Sequence, residues 1–240
     1  MEKQINAKNL ASFCYVNDKI CKKPIRGIVV EFNGLGGTDM HWEETGTGRY
    51  YAERGILFVN PYTNPWAWMN PQAVDFTDEI IDVLCEMHGL PDTVPVVSTG
   101  GSMGGLACLV YAKYAKRTPV GCVANCPVCD LPFHYTERPD LPRSIYSAFR
   151  YVDGTLEDAL KTASPLHLAD SMPDIPYVIF HCEEDKSVNI AAHSEKFVDA
   201  MRGFGKNVTF IRVPGRGHCD LPHEQWQRFC AFAARAIPET

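Results

Sequence analysis

The chain has 240 residues, 45% of them hydrophobic and 22% charged, a balance that suits a globular protein with a sizeable core. Its formal charge of −6 argues against a nucleic-acid binder, which would carry a basic face, and no block of like charge forms a tail. No run approaches the ~18 unbroken apolar residues of a membrane span, the N-terminus does not read as a signal peptide, and ten scattered cysteines are expected to be reduced thiols in the cytosol.

Apolar runs of strand length recur along the chain. They are SFCYV (12–16), GIVVEF (27–32), GILFVN (55–60), VPVVSTG (94–100), VGCVAN (120–125), YVIFHC (177–182) and NVTFIRV (207–213). Several are almost wholly apolar and β-branched, as strands buried on both faces of a parallel sheet are. The first run is expected to pair antiparallel at one edge.

Helical patterns alternate with these runs. Ile80, Val83, Leu84 and Met87 follow the i, i+3, i+4, i+7 spacing of an apolar helix face. Phe197, Met201 and Phe204 do much the same, with Gly205 as the stop. Trp226, Phe229, Cys230 and Ala233 give the last helix its apolar side. Strand-then-helix alternation from residue 27 onward implies a doubly wound, mostly parallel α/β sheet flanked by helices. Residues 127–175, rich in Pro, Asp and Arg, break the rhythm. They read as a small cap beside the site, with helical pieces near 142–150 and 155–162, inside a single domain spanning 1–240.

The chemistry concentrates after the fourth run. Gly100-Gly101-Ser102-Met103-Gly104 fits G-x-S-x-G, with VPVVSTG as the strand before it and LACLVYAKYAK as the helix after it. A serine presented at such an elbow needs small residues two positions to either side, and the helix N-terminus brings amides that stabilise negative charge. The alternative is a tight glycine turn without chemistry. A nucleophilic serine needs a base. Among eight histidines, His218 in RVPGRGHCD lies on a glycine-flanked loop between the last strand and the last helix, the place the chain order requires. His134, His167, His193 and His223 fall in cap or helix contexts and are expected to be surface or packing groups. The orienting acid should follow YVIFHC, where three acids stand together. Asp185 is preferred to Glu183 and Glu184, the alternative being a solvated acidic loop.

The loop EFNGLGGTD (31–39) leaves an early strand with three glycines and can turn backbone amides toward a substrate. One oxyanion donor should be the Met103 amide, after the nucleophile. The second should be that of Leu35, with Gly36 next; Gly34 and Gly36 are placed against the substrate. Neither a dinucleotide loop nor a phosphate-binding G-x-x-x-x-G-K-[ST] is present.

Together FNGLGG, GGSMGG, HCEEDKSV and GRGHC resemble the α/β-hydrolase fold. More narrowly they are similar to the catalytic domain of the prolyl oligopeptidase-like family and its small esterase relatives. The resemblance runs over residues 26–236, including TASPLHLADSMPDIPYVIF and FVDAMRGFGKNVTFIRV. It implies Ser102 as nucleophile, Asp185 as acid, His218 as base, and the Leu35 and Met103 amides as oxyanion donors. Two positions depart from the family: Asn33-Gly34 and His181-Cys182 stand where it often has His-Gly. The first should change how the oxyanion loop is braced. No β-propeller sequence precedes the motifs within these 240 residues, so a carboxylic ester hydrolase is expected, with a peptidase or amidase as the alternative and a non-catalytic binding protein as a third reading.

Tyr62, Trp66 and Trp68 follow a strand end, where loops line such sites, so Trp66 and Trp68 are expected to contact substrate; an aromatic anchor under the loop is the alternative. Cys126 and Cys129 form one CxxC pair near Cys122, with no second pair to complete a zinc site, so no metal and no cofactor are expected. Cys219 could confer thiol sensitivity through its place beside His218, though a small packing residue is the simpler reading. Asp130 is read as a loop cap that could also face the site. The expected partner is a small-molecule ester, with neither nucleic acid nor membrane.

Overall fold

Each of the seven apolar runs forms a strand, with ends that shift by no more than two residues. The computed structural model describes residues 4–41 and 43–239. The strands are β1 (Cys14–Val16), β2 (Gly27–Phe32), β3 (Ile56–Pro61), β4 (Val96–Gly101), β5 (Gly121–Asn125), β6 (Tyr177–Cys182) and β7 (Val208–Val213). They form one sheet in the order β1-β3-β2-β4-β5-β6-β7. β1 lies at one edge, antiparallel to β3 with Tyr15 opposite Asn60, and the other pairings are parallel. β3 and β5 are buried at every position, which explains why they read as unbroken apolar runs.

Helices cover both faces. α1 (Gly46–Ala52) and α9 (His223–Ala236) pack on one side, where Tyr51, Phe229, Cys230 and Ala233 meet Val29, Phe58 and Phe180. α2 (Pro71–His88), α3 (Met103–Tyr114) and α8 (Lys196–Gly203) pack on the other. α2 opens with Asn70 accepting a hydrogen bond from the Ala73 amide and Pro71 in the first turn, and it closes on Gly89 at φ 61°. Its buried side carries Ile80, Val83 and Leu84, whereas Met87 faces solvent. Likewise Phe197 and Met201 are buried on α8, but Phe204 ends the helix exposed, and Gly205 follows at φ 71°. α3 is buried from Met103 to Ala112, so its sequence shows no polar face. α1 was not legible as a helix: its GTGRYYA carries two glycines and no apolar period, and Thr45 starts it by accepting from the Gly48 amide.

Between β5 and β6 lie α4 (Leu131–Glu137), α5 (Leu141–Phe149), α6 (Leu156–Thr162) and α7 (Pro165–Leu168). Leu131, Leu141, Ile145 and Leu160 join the α2/α3 core, so the excursion is packed onto the body. Among the described residues no helix is long and apolar enough to cross a membrane.

The sheet sets the site. From β2 the chain crosses to β3 on one side, and from β4 it crosses to β5 on the other. The loops leaving β2 and β4 therefore diverge and open a crevice at the carboxyl ends of neighbouring strands, where ligands of such sheets bind.

Candidate active site

Ser102 stands in that crevice, one residue beyond β4 and just before α3, at φ 59° and ψ −124°. A non-glycine residue rarely adopts this conformation, and here the surrounding glycines permit it. A Cβ on Gly100 would come within 2.2 Å of Gly104 O, and one on Gly104 within 2.1 Å of Phe32 O. Both glycines are required because backbone meets backbone there. Among the described residues, four further non-glycine residues have positive φ: Trp68, Met69, Cys126 and Cys219. Trp68 and Cys219 line this crevice, and Cys126 lies against Cys219.

His218 lies on the β7–α9 loop. Its Nε2 is 2.8 Å from Ser102 Oγ, and its Nδ1 is 2.6 Å from Asp185 Oδ2. The Asp185 side chain is wholly buried just past β6. Its other oxygen accepts from the Ser187 and Val188 amides at 2.8 and 3.0 Å. Burial pushes this carboxyl up, but hydrogen bonds from His181, His218 and the two amides outweigh it and hold it well below the usual carboxylate range. For His218, burial opposes the charged ring, yet the hydrogen bond and charge of Asp185 prevail and raise it above the ordinary imidazole value. Glu183 and Glu184 point to solvent, Glu183 pairing with Arg212. The arrangement can take a proton from Ser102 and hold it on an imidazolium beside a fixed anion.

His181 is fully buried behind the acid. Its Nε2 donates to Val188 O at 3.1 Å and lies 3.5 Å from Asp185 Oδ2, while its Nδ1 accepts from Ser194 Oγ at 2.7 Å. The loop after β2 runs alongside Ser102: a Cβ on Gly34 would sit 3.8 Å from Ser102 Cβ. Asn33 braces it by exchanging two side-chain hydrogen bonds with Asn60, at 3.0 and 3.4 Å. Gly36 donates its amide to Pro65 O at 2.9 Å, which removes it as an oxyanion donor. Among the described residues no group takes up the Leu35 or the Met103 amide.

These groups open on a cavity of about 520 Å³. Gly34, Leu35, Trp68, Ser102 and His218 all line it; Gly36 and Trp66 do not. Trp68 is buried and donates its indole N–H to Ser144 Oγ on α5, so the same ring anchors the cap. Trp66 is half exposed and borders a separate groove of about 1150 Å³ between the 62–76 segment and α5.

The cap contributes two residues to this cavity: His134, expected to be a surface or packing group, and Arg138, which carried no sequence signal. Of the surface and packing roles expected for His134, the structure shows the packing one: it is buried and donates Nδ1–H to Glu137 at 2.6 Å, while its ring also lines the cavity. His193 is fully buried as well. Its Nδ1 accepts from the Cys129 and Asp130 amides, and its Nε2 donates to the same Glu137 oxygen at 3.0 Å. Burial lowers His193, keeping it neutral, and the two imidazole donors outweigh burial to pull Glu137 down to about 2. The signal available in the sequence was His134 and Glu137 at i, i+3, one face of a helix. His167 bonds Ser164, and His223 stacks on Trp226, as packing groups do. Asp130 caps α4 by accepting from the Phe133 amide at 3.1 Å.

The cysteines are arranged differently from their spacing. Cys122 lies against Cys108, whereas Cys126 turns away toward Cys182 and Cys219, accepting from both of their amides at 3.3 and 3.4 Å. Cys122, Cys126 and Cys129 do not form a common ligand set among the described residues.

A sequence model of the prolyl oligopeptidase family matches residues 67–237. No curated protein matches the chain. Among solved structures, an S-formylglutathione hydrolase from Agrobacterium tumefaciens superposes with a TM-score of 0.71 at 16% identity, covering 94% of this chain and 89% of its own. The acylaminoacyl peptidase of Pyrococcus horikoshii gives 0.71 at 14% identity, but this chain spans only 38% of it. The esterase PE8 gives 0.60 at 16% identity, with 89% and 93% covered. The fold is that of the α/β hydrolases.

Proposed function

The chain belongs to the prolyl oligopeptidase family, and from that premise we propose that it is a serine hydrolase that cleaves carboxylic esters through an acyl-enzyme. In this reading Ser102 attacks the ester carbonyl while His218 Nε2 takes its proton, and Asp185 holds the ring and balances the imidazolium. The oxyanion develops against the Leu35 and Met103 amides, aided by the N-terminus of α3. His218 returns the proton to the departing alcohol. Water, activated by the same histidine, then releases the acid.

The observation that carries the reading is the continuous Asp185–His218–Ser102 hydrogen-bond chain, at 2.6 and 2.8 Å, in a cavity that Leu35 also lines. The preference for esters is supported by two neighbours that share the fold, an S-formylglutathione hydrolase and the esterase PE8. The family's name and those peptidases favour amide cleavage as the second reading, which differs only in the leaving group. A reducing, cytosolic setting belongs to the same proposal, where ten cysteines would persist as thiols.

The test is Ser102→Ala assayed on a short-chain aryl ester. A loss of about 10³-fold or more in kcat is expected, and near-parental activity in the pure variant would overturn the assignment. An aminoacyl-arylamide hydrolysed faster than the ester would reverse the choice of leaving group.

A further inference from the structure

Behind the proposed base lie sulfur atoms that ester cleavage does not use. Cys126 Sγ, Cys219 Sγ and a ring nitrogen of His218 all lie within 4.8 Å of one another. Cys219 Sγ is 3.8 Å from His218 Nε2. A tetrahedral zinc ion with Zn–S of ~2.3 Å and Zn–N of ~2.1 Å needs those donors ~3.6 Å apart, so this pair already stands near a chelating separation.

The backbone holds the sulfurs there at a cost. Cys126 and Cys219 have φ of 46° and 56°, a region non-glycine residues seldom occupy. The Cys182 and Cys219 amides fix Cys126 Sγ from one side. Gly101 makes room on the other, since a Cβ there would sit 3.2 Å from Cys219 Sγ. Of the ten cysteines, nine are buried and Cys219 is partly exposed, lining the cavity that holds Ser102. An ion entering that cavity meets Cys219 before any other thiol.

We propose that Cys219, Cys126 and His218 form a binding site for a soft divalent metal ion of the zinc class, and that its occupancy silences hydrolysis by occupying the imidazole nitrogen that would accept the Ser102 proton. Two thiolates and a neutral imidazole donate lone pairs to the ion, the two thiol protons leave to solvent, and no electron is transferred. Water or Ser102 Oγ, 2.8 Å from Nε2, completes the coordination. Sulfur and imidazole donors select zinc-like ions over Mg²⁺ or Ca²⁺. The binding half of the proposal stands on the geometry alone; the inhibitory half rests on the hydrolase reading.

The experiment titrates Cd²⁺ into the reduced, chelator-free protein and follows thiolate-to-cadmium absorbance, with Zn²⁺ and Mg²⁺ titrated against ester hydrolysis in parallel. The expected band saturates at one equivalent per chain and persists in Ser102→Ala, which is inactive but keeps all three ligands. Cys219→Ser and Cys126→Ser should each weaken binding by about tenfold or more, since even loss of a ligand's hydrogen-bond partner costs roughly 10–100-fold. Zn²⁺ should inhibit the parent, EDTA should reverse it, Mg²⁺ should do nothing, and Cys219→Ser should escape inhibition measured against its own basal rate. Circular dichroism checks the folding of each variant, and Cys219→Ala decides the matter if Cys126→Ser does not fold. Absence of the band, or a band and inhibition unchanged in the Cys219 variants, overturns the proposal. A normal band in a protein that hydrolyses no ester or amide leaves the metal site standing and removes the hydrolase reading instead.

Discussion

Asp185 shows how much one side chain is asked to do. One oxygen holds the loop by accepting two amides, and the other faces His218 at 2.6 Å. Asp185→Asn keeps the shape but presents an amide donor or a neutral carbonyl where an anion stood. The ring can then adopt the wrong tautomer, and the imidazolium loses its counter-charge. A drop of roughly 10⁴-fold in kcat with KM little changed is expected, read from steady-state kinetics on the ester that the parent cleaves. A comparable loss in KM alone would mean that Asp185 only shapes the loop. The choice of Asp185 over its acidic neighbours was legible as a position after a buried strand. That its side chain is fully buried while Glu183 and Glu184 face solvent follows only from the turn that β6 makes at its end.

At the scale of elements, two joints position the site. The first is the close approach of β2 to the start of α3, made possible by Gly104. Gly104→Ala would drive a methyl into Phe32 O at 2.1 Å, backbone that cannot swing aside. Destabilisation of about 1–3 kcal/mol or more is expected, measured by urea denaturation. The second joint pins the cap: Glu137 at the end of α4 accepts from His134 and from His193, which lies just ahead of α8. The folded Glu137 sits at about 2, against an ordinary 4.5. Its contribution is therefore present above the ordinary carboxylate value and fades as pH falls toward 2. Glu137→Gln should cost about 1–3 kcal/mol at neutral pH. Urea melts across pH should show the gap to the parent narrowing below about pH 4.5; a gap independent of pH would show that the carboxylate charge contributes nothing.

At the scale of the molecule, the proposed site lies where the β2 and β4 loops diverge, and cap residues His134 and Arg138 line its cavity. The cavity of about 520 Å³ lies in the middle of the usual range for small-molecule sites. Trp68, tied to Ser144 of α5, closes one side of it. Short acyl groups should therefore be preferred, with kcat/KM falling about tenfold or more for long fatty acyl esters of the same alcohol, a difference of ~1.4 kcal/mol in transition-state binding. An ester series of increasing acyl length measures it directly. A rate that climbs steadily with chain length would place the acyl group in the outer groove beside Trp66 instead.

The sequence by itself determined the sheet, because strands buried on both faces must be apolar throughout, and it determined the elbow, because Gly100, Ser102 and Gly104 are a spacing that backbone crowding imposes locally. It marked His218 and Asp185 as candidates through their places after strands. What lies across the fold needed the tertiary structure. α1 lacks an apolar period, Trp66 and Trp68 share a loop but face different cavities, and His134 reaches the site only because the cap folds back over it. The same holds for Cys219, next to His218 in the chain. Its sulfur meets Cys126 and His218 because β5 and the β7–α9 loop end side by side, a meeting that a separation of 93 positions along the chain cannot announce.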